Sequence, residues 1–319
     1  MESRIVKAKV EIEDPLVSII VITYNSENYI IDTLESFKSQ TYNNLEIIIS
    51  DDCSTDNTLD VCNKWLENNR NRFNGAEIVT SSLNTGISPN LNRGIKIARG
   101  EWIKPFGGDD ALYPDLIQKY IDFVKKSDSE VEFLHSKAIN YLENFNKESQ
   151  MATKDVLSRK INKEDITAKE QFEILLRTDR IASLTVMIKK SVFNKVGYFD
   201  ERYPMFDDTP MWLKITKHGI KLHYLDIMGA KYRVRKNSVI RSNTNQKFLN
   251  DFGVARNKAL KEIFLPHLPF HERLLKSTSF RLNNFFRTLD NDSTFVKTAY
   301  NVTTLPLMYL INKINRSYR

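Results

Sequence analysis

Cysteine is nearly absent: Cys53 and Cys62 are the only two in 319 residues. Two thiols cannot build a disulfide framework, and neither has His or Cys neighbours at zinc-ligand spacing, so both read as reduced thiols of a cytoplasmic protein. No run of about 18 apolar residues occurs, which excludes a helix spanning a bilayer. The first apolar run, Val17 to Ile22, is short and follows the acidic Glu11-Ile-Glu-Asp14, so no secretory signal is expected. No G-x-G-x-x-G follows a strand-like run, which argues against a dinucleotide-dependent dehydrogenase. The residues after the first such run, Thr23-Tyr-Asn-Ser-Glu27, hold neither the Gly-rich loop nor the basic residue that a nucleotidyltransferase needs to grip a triphosphate. No recognition motif surrounds the basic and aromatic residues, so no nucleic-acid partner is expected.

What is present is an ordinary globular composition, 41% hydrophobic, with a mean hydropathy of -0.42. The length suits one large α/β domain with an appendage, or two domains, burying roughly three quarters of the unfolded surface. The net charge of +7 conceals an asymmetry. From Lys231 to Arg319 there are 17 Lys or Arg against 5 Asp or Glu, a balance of +12, which leaves the first 230 residues near -5. A tail of that sign can meet nucleic acid, anionic lipid or a phosphorylated acceptor, and sign alone does not choose.

Strand, loop and helix alternate four times in the first part of the chain. Leu16 to Tyr24 is a nearly continuous β-branched run, the pattern of a strand buried on both faces. Ser26 is placed to cap a helix carrying Ile30, Ile31, Leu34 and Phe37. Leu45 to Ser50 forms a second strand and delivers Asp51-Asp52 to its carboxyl end, before a helix with Leu59, Cys62, Trp65 and Leu66. Glu77 to Thr80, the loop Ser82-Leu-Asn84-Thr-Gly86 and a helix opened by Ser88-Pro89 repeat the unit. A fourth strand, Gly100 to Phe106, runs into Gly107-Gly-Asp-Asp110. Such alternation predicts an open, mostly parallel sheet flanked by helices, with ligands bound outside the carboxyl ends of the strands. That edge then collects Tyr24, Asn25, Asp51, Asp52, Asn84, Gly86, Asp109 and Asp110.

Asp109 and Asp110 repel one another at close range unless a cation or donors intervene, and oxygen ligands of this kind suit Mg²⁺ or Mn²⁺. The pair therefore reads as a metal site for a phosphate-bearing ligand; the competing reading is plain turn chemistry after Gly-Gly. Asp207-Asp208 precede a helix ended by His218-Gly219, where acids also cap the helix and complement its dipole, for about 0.3 to 1 kcal/mol. Between these, Val131 to His135, Ala138 to Leu142 and Ser183 to Ile188 read as strands. Ala168 to Arg177 and Ser191 to Val196 read as helices, and Lys147 to Lys163 as a polar loop or flap. The tail predicts three helices: one with Phe248, Phe252, Ala255, Leu260 and Phe264, one from Leu274 to Phe286, and one from Val296 to Ile314 interrupted at Pro306. Its basic residues interleave with aromatics, which suits a packed face with a solvated back or contact with an anionic bilayer.

Six stretches carry a resemblance. They are Val17-Ser-Ile-Ile-Val-Ile-Thr-Tyr-Asn25, Ile49-Ser-Asp-Asp-Cys-Ser-Thr-Asp-Asn57, Asn84-Thr-Gly-Ile87 with Asn92-Arg-Gly94, Ala98-Arg-Gly-Glu-Trp-Ile103, Gly107-Gly-Asp-Asp110 and Phe206-Asp-Asp-Thr-Pro-Met-Trp-Leu213. In that order, across residues 15 to 235, the chain resembles glycosyltransferase family 2, the inverting transferases of the GT-A fold. The resemblance implies a nucleotide-sugar-dependent GT-A domain over residues 1–240 and a basic helical extension over 241–319. It implies transfer from a nucleotide-diphosphate sugar, a UDP-sugar, to a saccharide or lipid-linked saccharide hydroxyl. The setting it implies is bacterial surface polysaccharide assembly at the inner face of the cell membrane.

Roles follow by position. Tyr24 is expected to stack on the base and Asp52 to accept from the base edge, with Asn25, Asn84, Gly86 and Asp109 completing the nucleotide site. Asp110, with Asp109, is expected to hold Mn²⁺ or Mg²⁺, and Asp208 to act as general base. Asp207 and Trp212 are candidates for the acceptor side or for structure. Three departures stand out. Gly108 occupies a place where the family often has a carboxylate, and Asp207 is shorter than the usual Glu. Tyr232-Arg-Val-Arg235 ends in arginine where relatives offer a histidine to the metal, so Arg235 becomes a candidate diphosphate contact.

Overall fold

The computed structural model describes residues 14–151, 160–178, 181–235, 256–289 and 293–318. Strands β1 (Val17–Thr23), β2 (Leu45–Asp51), β3 (Gly75–Thr80) and β4 (Trp102–Gly107) lie in the order β3-β2-β1-β4, all parallel. Helices α1 (Ile30–Lys38), α2 (Thr58–Asn69) and α3 (Ile87–Ile97) cross between them. Successive strand residues point to opposite faces, so β1 and β2 divide between two cores. Ile19, Val21, Ile47 and Ile49 pack with Phe37 and Trp65 on one side; Ile20 and Ile48 pack with Leu91, Phe133 and Trp212 on the other. The cap expected from Ser26 does not form. Tyr29 precedes α1, the Ser26 carbonyl accepts from the N–H groups of Tyr29 and Ile30, and the Ser26 N–H donates to Thr58 Oγ1 at 2.7 Å. The serine ties its loop to α2 instead.

Past β4 the chain continues through β5 (Ala111–Leu112), α4 (Leu116–Lys126), β6 (Phe133–Leu142), α5 (Ala168–Leu175), β7 (Met187–Lys189), α6 (Lys190–Val196), α7 (Asp208–Lys217) and β8 (His223–Val234). The full order is β3-β2-β1-β4-β7-β6-β8-β5. Strand β7 is antiparallel to β4 and β6, while β8 is parallel to β6 and antiparallel to β5. The architecture is thus α/β, with a parallel half that bears the repeats and a mixed half that closes it. Two strands expected at 131–135 and 138–142 are one, β6, with register shifts around Lys137. The strand expected over Ser183 to Ile188 shrinks to β7, because Ser183–Thr185 forms a 3-10 turn. There the Thr185 hydroxyl donates to the Ala182 carbonyl at 2.8 Å and accepts from Ser136 N–H at 3.0 Å, replacing ladder bonds with local ones.

At the carboxyl-terminal end, a π-helical turn Leu260–Phe264 buries Phe264 in the second core. Helices α8 (Phe270–Thr288) and α9 (Thr294–Arg316) pack against each other. Helix α9 runs through Pro306 rather than breaking there. The carbonyl deprived of a donor belongs to Val302, which is exposed like Pro306 itself, so water can satisfy it. Among the described residues no helix is long and apolar enough to cross a membrane. Phe248, Phe252, Ala255 and residues 152–159 of the expected flap lie outside the described residues.

Candidate active site

Because β1 to β4 are parallel, their following loops emerge on one edge and bring the predicted acids there. Backbone bonds sew the loops together: Asp52 N–H donates to the Thr23 carbonyl at 2.9 Å and Gly108 N–H to the Ile22 carbonyl at 3.0 Å. Asn25 sits in the left-handed region at φ 49, which asparagine tolerates better than most residues. Its side-chain oxygen accepts from Thr55 N–H at 2.8 Å and its own N–H donates to Ser54 Oγ at 2.9 Å, so it joins two loops. Tyr24 differs: its residue is 47% exposed at the strand tip, an open aromatic face on which a flat ligand can stack.

Asp52 is buried and accepts four bonds from within the protein. Thr85 N–H (2.8 Å), Thr85 Oγ1 (2.6 Å), Gly86 N–H (2.6 Å) and Arg93 Nη2 (3.2 Å) fill the lone-pair sites of the carboxylate. Through these bonds Asp52 shapes the Asn84–Gly86 loop. Asn84 supports the same turn, its side-chain oxygen accepting from Gly86 N–H at 3.2 Å. Gly86 has φ 92, and a Cβ on it would lie 2.6 Å from Pro204 Cβ. Directly after it, Ile87 N–H donates to the Pro204 carbonyl at 2.7 Å, and Asn92 Nδ2 donates to the Phe199 carbonyl at 2.9 Å. The start of α3 is thereby fastened to the segment that leads into α7.

At the turn after β4 the two acids part company. Asp109 is half-exposed and forms an ion pair with Arg235 at 2.8 Å, whose guanidinium lies 4.9 Å above the Tyr29 ring. Asp110 is buried, with Oδ1 accepting from the backbone N–H of Arg233 at 2.7 Å. Burial, and then the charge of Asp109, hold the Asp110 carboxyl well above the ordinary carboxylate range, against the pull of Arg233 and Arg235. Arg233 clamps the turn. It donates through Nε to the Asp109 carbonyl at 2.8 Å, through Nη2 to Asp32 at 2.7 Å and through Nη1 to the Glu143 carbonyl, while stacking on Phe145. Arg235, expected at a diphosphate, spends its charge on Asp109 here. Among the described residues no group of three His, Cys, Asp or Glu is gathered as a metal cage.

Asp207 and Asp208 stand side by side at the start of α7. Asp208 opens α7 and accepts from Thr209 N–H at 2.7 Å, a bond of the helix terminus. Asp207, one residue earlier, lines a cavity of about 180 Å³ together with Asp110 and Trp212, walled by Ile22, Leu91 and Phe106. Trp212 is buried edge-on against Phe133, centroids 5.0 Å apart, and so anchors α7. Its indole N–H has no hydrogen-bond partner among the described residues. Asp110 and Asp207, 97 positions apart in the chain, thus meet in one space, while Asp52 reaches the same neighbourhood through Gly86 and Pro204.

Sequence reasoning passed over three cations. Arg93, in the motif Asn92-Arg-Gly94, pairs with Asp52 at 3.2 Å. Arg233 shares a strand face with Arg235, a signal present in the alternation Tyr232-Arg-Val-Arg235. Lys104 is fully buried in β4, donating to the Leu184 carbonyl at 2.7 Å; burial drives its pKa well below the usual value, with Asp110 opposing. A lysine inside an apolar strand was the visible clue.

Comparison with known proteins adds a second, independent line. The family model described as Glycosyl transferase family 2 matches residues 18–197. A protein of Haemophilus influenzae named "Uncharacterized glycosyltransferase" is 29% identical over 84% of this chain and 85% of its own. The Escherichia coli UDP-Glc:alpha-D-GlcNAc-diphosphoundecaprenol beta-1,3-glucosyltransferase WfaP is 31% identical over 70% of this chain and 79% of its own. Among solved structures, S. aureus TarS 1-349 in complex with UDP-GlcNAc superposes with a TM-score of 0.59 at 22% identity, over 85% of this chain and 72% of that one. That likeness identifies the fold as GT-A.

Proposed function

Because the chain belongs to glycosyltransferase family 2, we propose that it moves a sugar from a UDP-sugar to a hydroxyl of a saccharide carried on a lipid diphosphate, inverting the anomeric centre. The process it serves in this reading is bacterial surface polysaccharide synthesis. The observation that carries the proposal is the convergence of Asp110, Asp207 and Trp212 on one cavity at the sheet edge that bears the exposed ring of Tyr24. The E. coli relative named for a diphosphoundecaprenol-linked substrate and the TarS complex with UDP-GlcNAc support the acceptor and donor classes.

Tyr24 stacks on the base, for about 1 to 3 kcal/mol by analogy with other base–aromatic contacts. The contribution of Asp52 runs through the Asn84–Gly86 loop that it holds. The donors available to a cation are the carboxylate oxygens of Asp110 and Asp109, adjacent at the turn after β4, and oxygen ligands of this kind suit a divalent ion. Asp110 and Asp109 would hold Mn²⁺ or Mg²⁺, which when bound stabilises the charge developing on the leaving diphosphate. Arg235, already at Asp109, adds a second positive charge to that side. Asp208 takes the proton of the acceptor hydroxyl as the oxygen attacks the anomeric carbon, and the unpaired indole N–H of Trp212 orients the acceptor. Residues 1–240 form the catalytic part in this reading and 241–319 a basic helical part that rests on the membrane. Phe295, Val302, Leu305 and Tyr309 project from α9, which carries no acid among its 23 residues, beside exposed Lys313 and Arg316.

A thermal-shift panel of nucleoside diphosphates and sugar nucleotides tests the reading. UDP should stabilise the protein in a Mn²⁺-dependent way, and Asp110→Ala should abolish the dependence. A wild-type protein indifferent to every nucleoside diphosphate would refute it, and release of pyrophosphate instead of UDP would favour nucleotidyl transfer.

A further inference from the structure

A second cavity, about 480 Å³, lies between the start of α7 and the helices α8 and α9. Phe206 and Thr209 line it, whereas Asp207 and Trp212 line the cavity that holds Asp110. The first turn of α7 is therefore the partition between the two spaces. Among the described residues that line it the charged ones are Arg177, Arg256 and Lys276, with no acid, and much of the remaining wall is apolar, including Leu260, Phe264, Phe280 and Ile311. Its size falls in the range of pockets that enclose small molecules.

The polar groups of this cavity are incompletely used. Lys276 is buried and donates to the Leu176 carbonyl at 3.1 Å. The acid nearest to hand, Glu272, is already committed to Arg177, accepting from Nε and Nη2 at 2.8 to 3.3 Å. Burial pushes the Lys276 pKa down to about 8, with Glu272 pulling it up and Arg177 and Arg256 pressing it down. Asn257 Nδ2 and Asn315 Oδ1 are buried on the same wall without hydrogen-bond partners among the described residues. A buried ammonium with one carbonyl and two idle amides costs stability unless something anionic shares the space.

We propose that this cavity binds an isoprenyl diphosphate, the lipid-linked end of the acceptor: the diphosphate against Lys276 and Arg256, the first part of the chain along Phe264, Phe280 and Ile311. The inference rests on the functional reading above and deepens it, since Phe206 and Thr209 bracket the acid pair and would place a saccharide joined to that diphosphate on the Asp207–Asp208 side of the partition.

The probe is farnesyl diphosphate, titrated into the full chain with UDP and Mn²⁺ saturating so that the donor site is filled. Saturable binding is expected, at least tenfold tighter than inorganic pyrophosphate or farnesol. Lys276→Met should weaken it at least tenfold, and so should Arg256→Ala, an exposed position where folding is not at risk, with UDP affinity unchanged in both. Equal affinity in wild type and both variants overturns the proposal, as does probe binding seen only when UDP is left out. Pyrophosphate binding as tightly as farnesyl diphosphate would leave an anion site without lipid, and farnesol binding as tightly would leave a greasy cleft; either outcome also overturns it. If UDP binds and the probe does not, this site alone falls; if UDP fails as well, the functional reading beneath it falls first.

Discussion

The edge of the parallel strands and the cavity under the carboxyl-terminal helices both concentrate charge, and they treat it differently. At the edge each acid has protein partners: Asp51 takes bonds from Thr23 and Ser54, Asp52 from Thr85, Gly86 and Arg93, Asp109 from Arg235 and Asp110 from the Arg233 backbone. Under the helices, Lys276 has one carbonyl and its nearest acid is engaged elsewhere. Groups held in place before a ligand arrives need no reorganisation when charge develops, which suits chemistry. Groups left short of partners suit an occupant that supplies them.

Mutations should separate the two regions by size and sign. The largest effect belongs to Asp208→Asn, with kcat expected to fall by about 10² to 10⁴ while UDP binding persists; Asp207→Asn should cost less than about tenfold, a bound set against the same catalytic range. A reversed order in steady-state kinetics would move the base to the residue that lines the cavity. Arg233→Met removes a buried clamp from the edge and should lower unfolding free energy by about 3 kcal/mol in urea titrations. A loss under about 0.5 kcal/mol, typical of surface positions, would mean the edge is not held as its bonds suggest. Tyr24→Ala should weaken UDP binding by about 1 to 3 kcal/mol in calorimetry without changing stability.

The cavity should answer with the opposite sign. Lys276→Met is expected to stabilise the empty protein at pH 7 by about 1 to 3 kcal/mol. The lysine's folded pKa, about 8, lies below its unfolded value. Between about pH 8 and 10.4 the unfolded chain binds the extra proton, so wild-type stability rises relative to the variant and the gap closes. A gap independent of pH over that interval would remove the buried ammonium from the account. Smallest of all, Phe295→Ser with Tyr309→Ser should change stability by no more than about 0.5 kcal/mol, yet reduce flotation with anionic vesicles. Unchanged flotation would take α9 out of the membrane reading.

The parallel half was legible because its signals are local. Runs such as Val17 to Ile22 and Ile47 to Ile49 declare two-sided burial, and the polar residues after each run declare the ligand edge. The mixed half was less so. Thr185 looks like any β-branched strand residue, and only its bonds to Ala182 and Ser136 reveal a 3-10 turn. Pro306 looks like a helix breaker until the exposure of Val302 is known. In the site, Asp110 and Asp207 were nameable as acids at element ends, but their meeting in one cavity depends on the Gly86–Pro204 contact and the path of α7. The committed state of Asp52 was hidden for the same reason, since Thr85, Gly86 and Arg93 lie 33 to 41 positions downstream.

Gly86 has a further consequence. Pinned between Asp52 on one side and Pro204 on the other, it is a spacer with no side chain, and its φ of 92 leaves no room for one. Anything that tilts the turn held by Asp52 is felt at once by the peptide running toward Asp207. A single methyl group at this position would pry the Asn84–Thr85 turn from the peptide of Pro204, leaving each loop with its own bonds but the two out of step with one another.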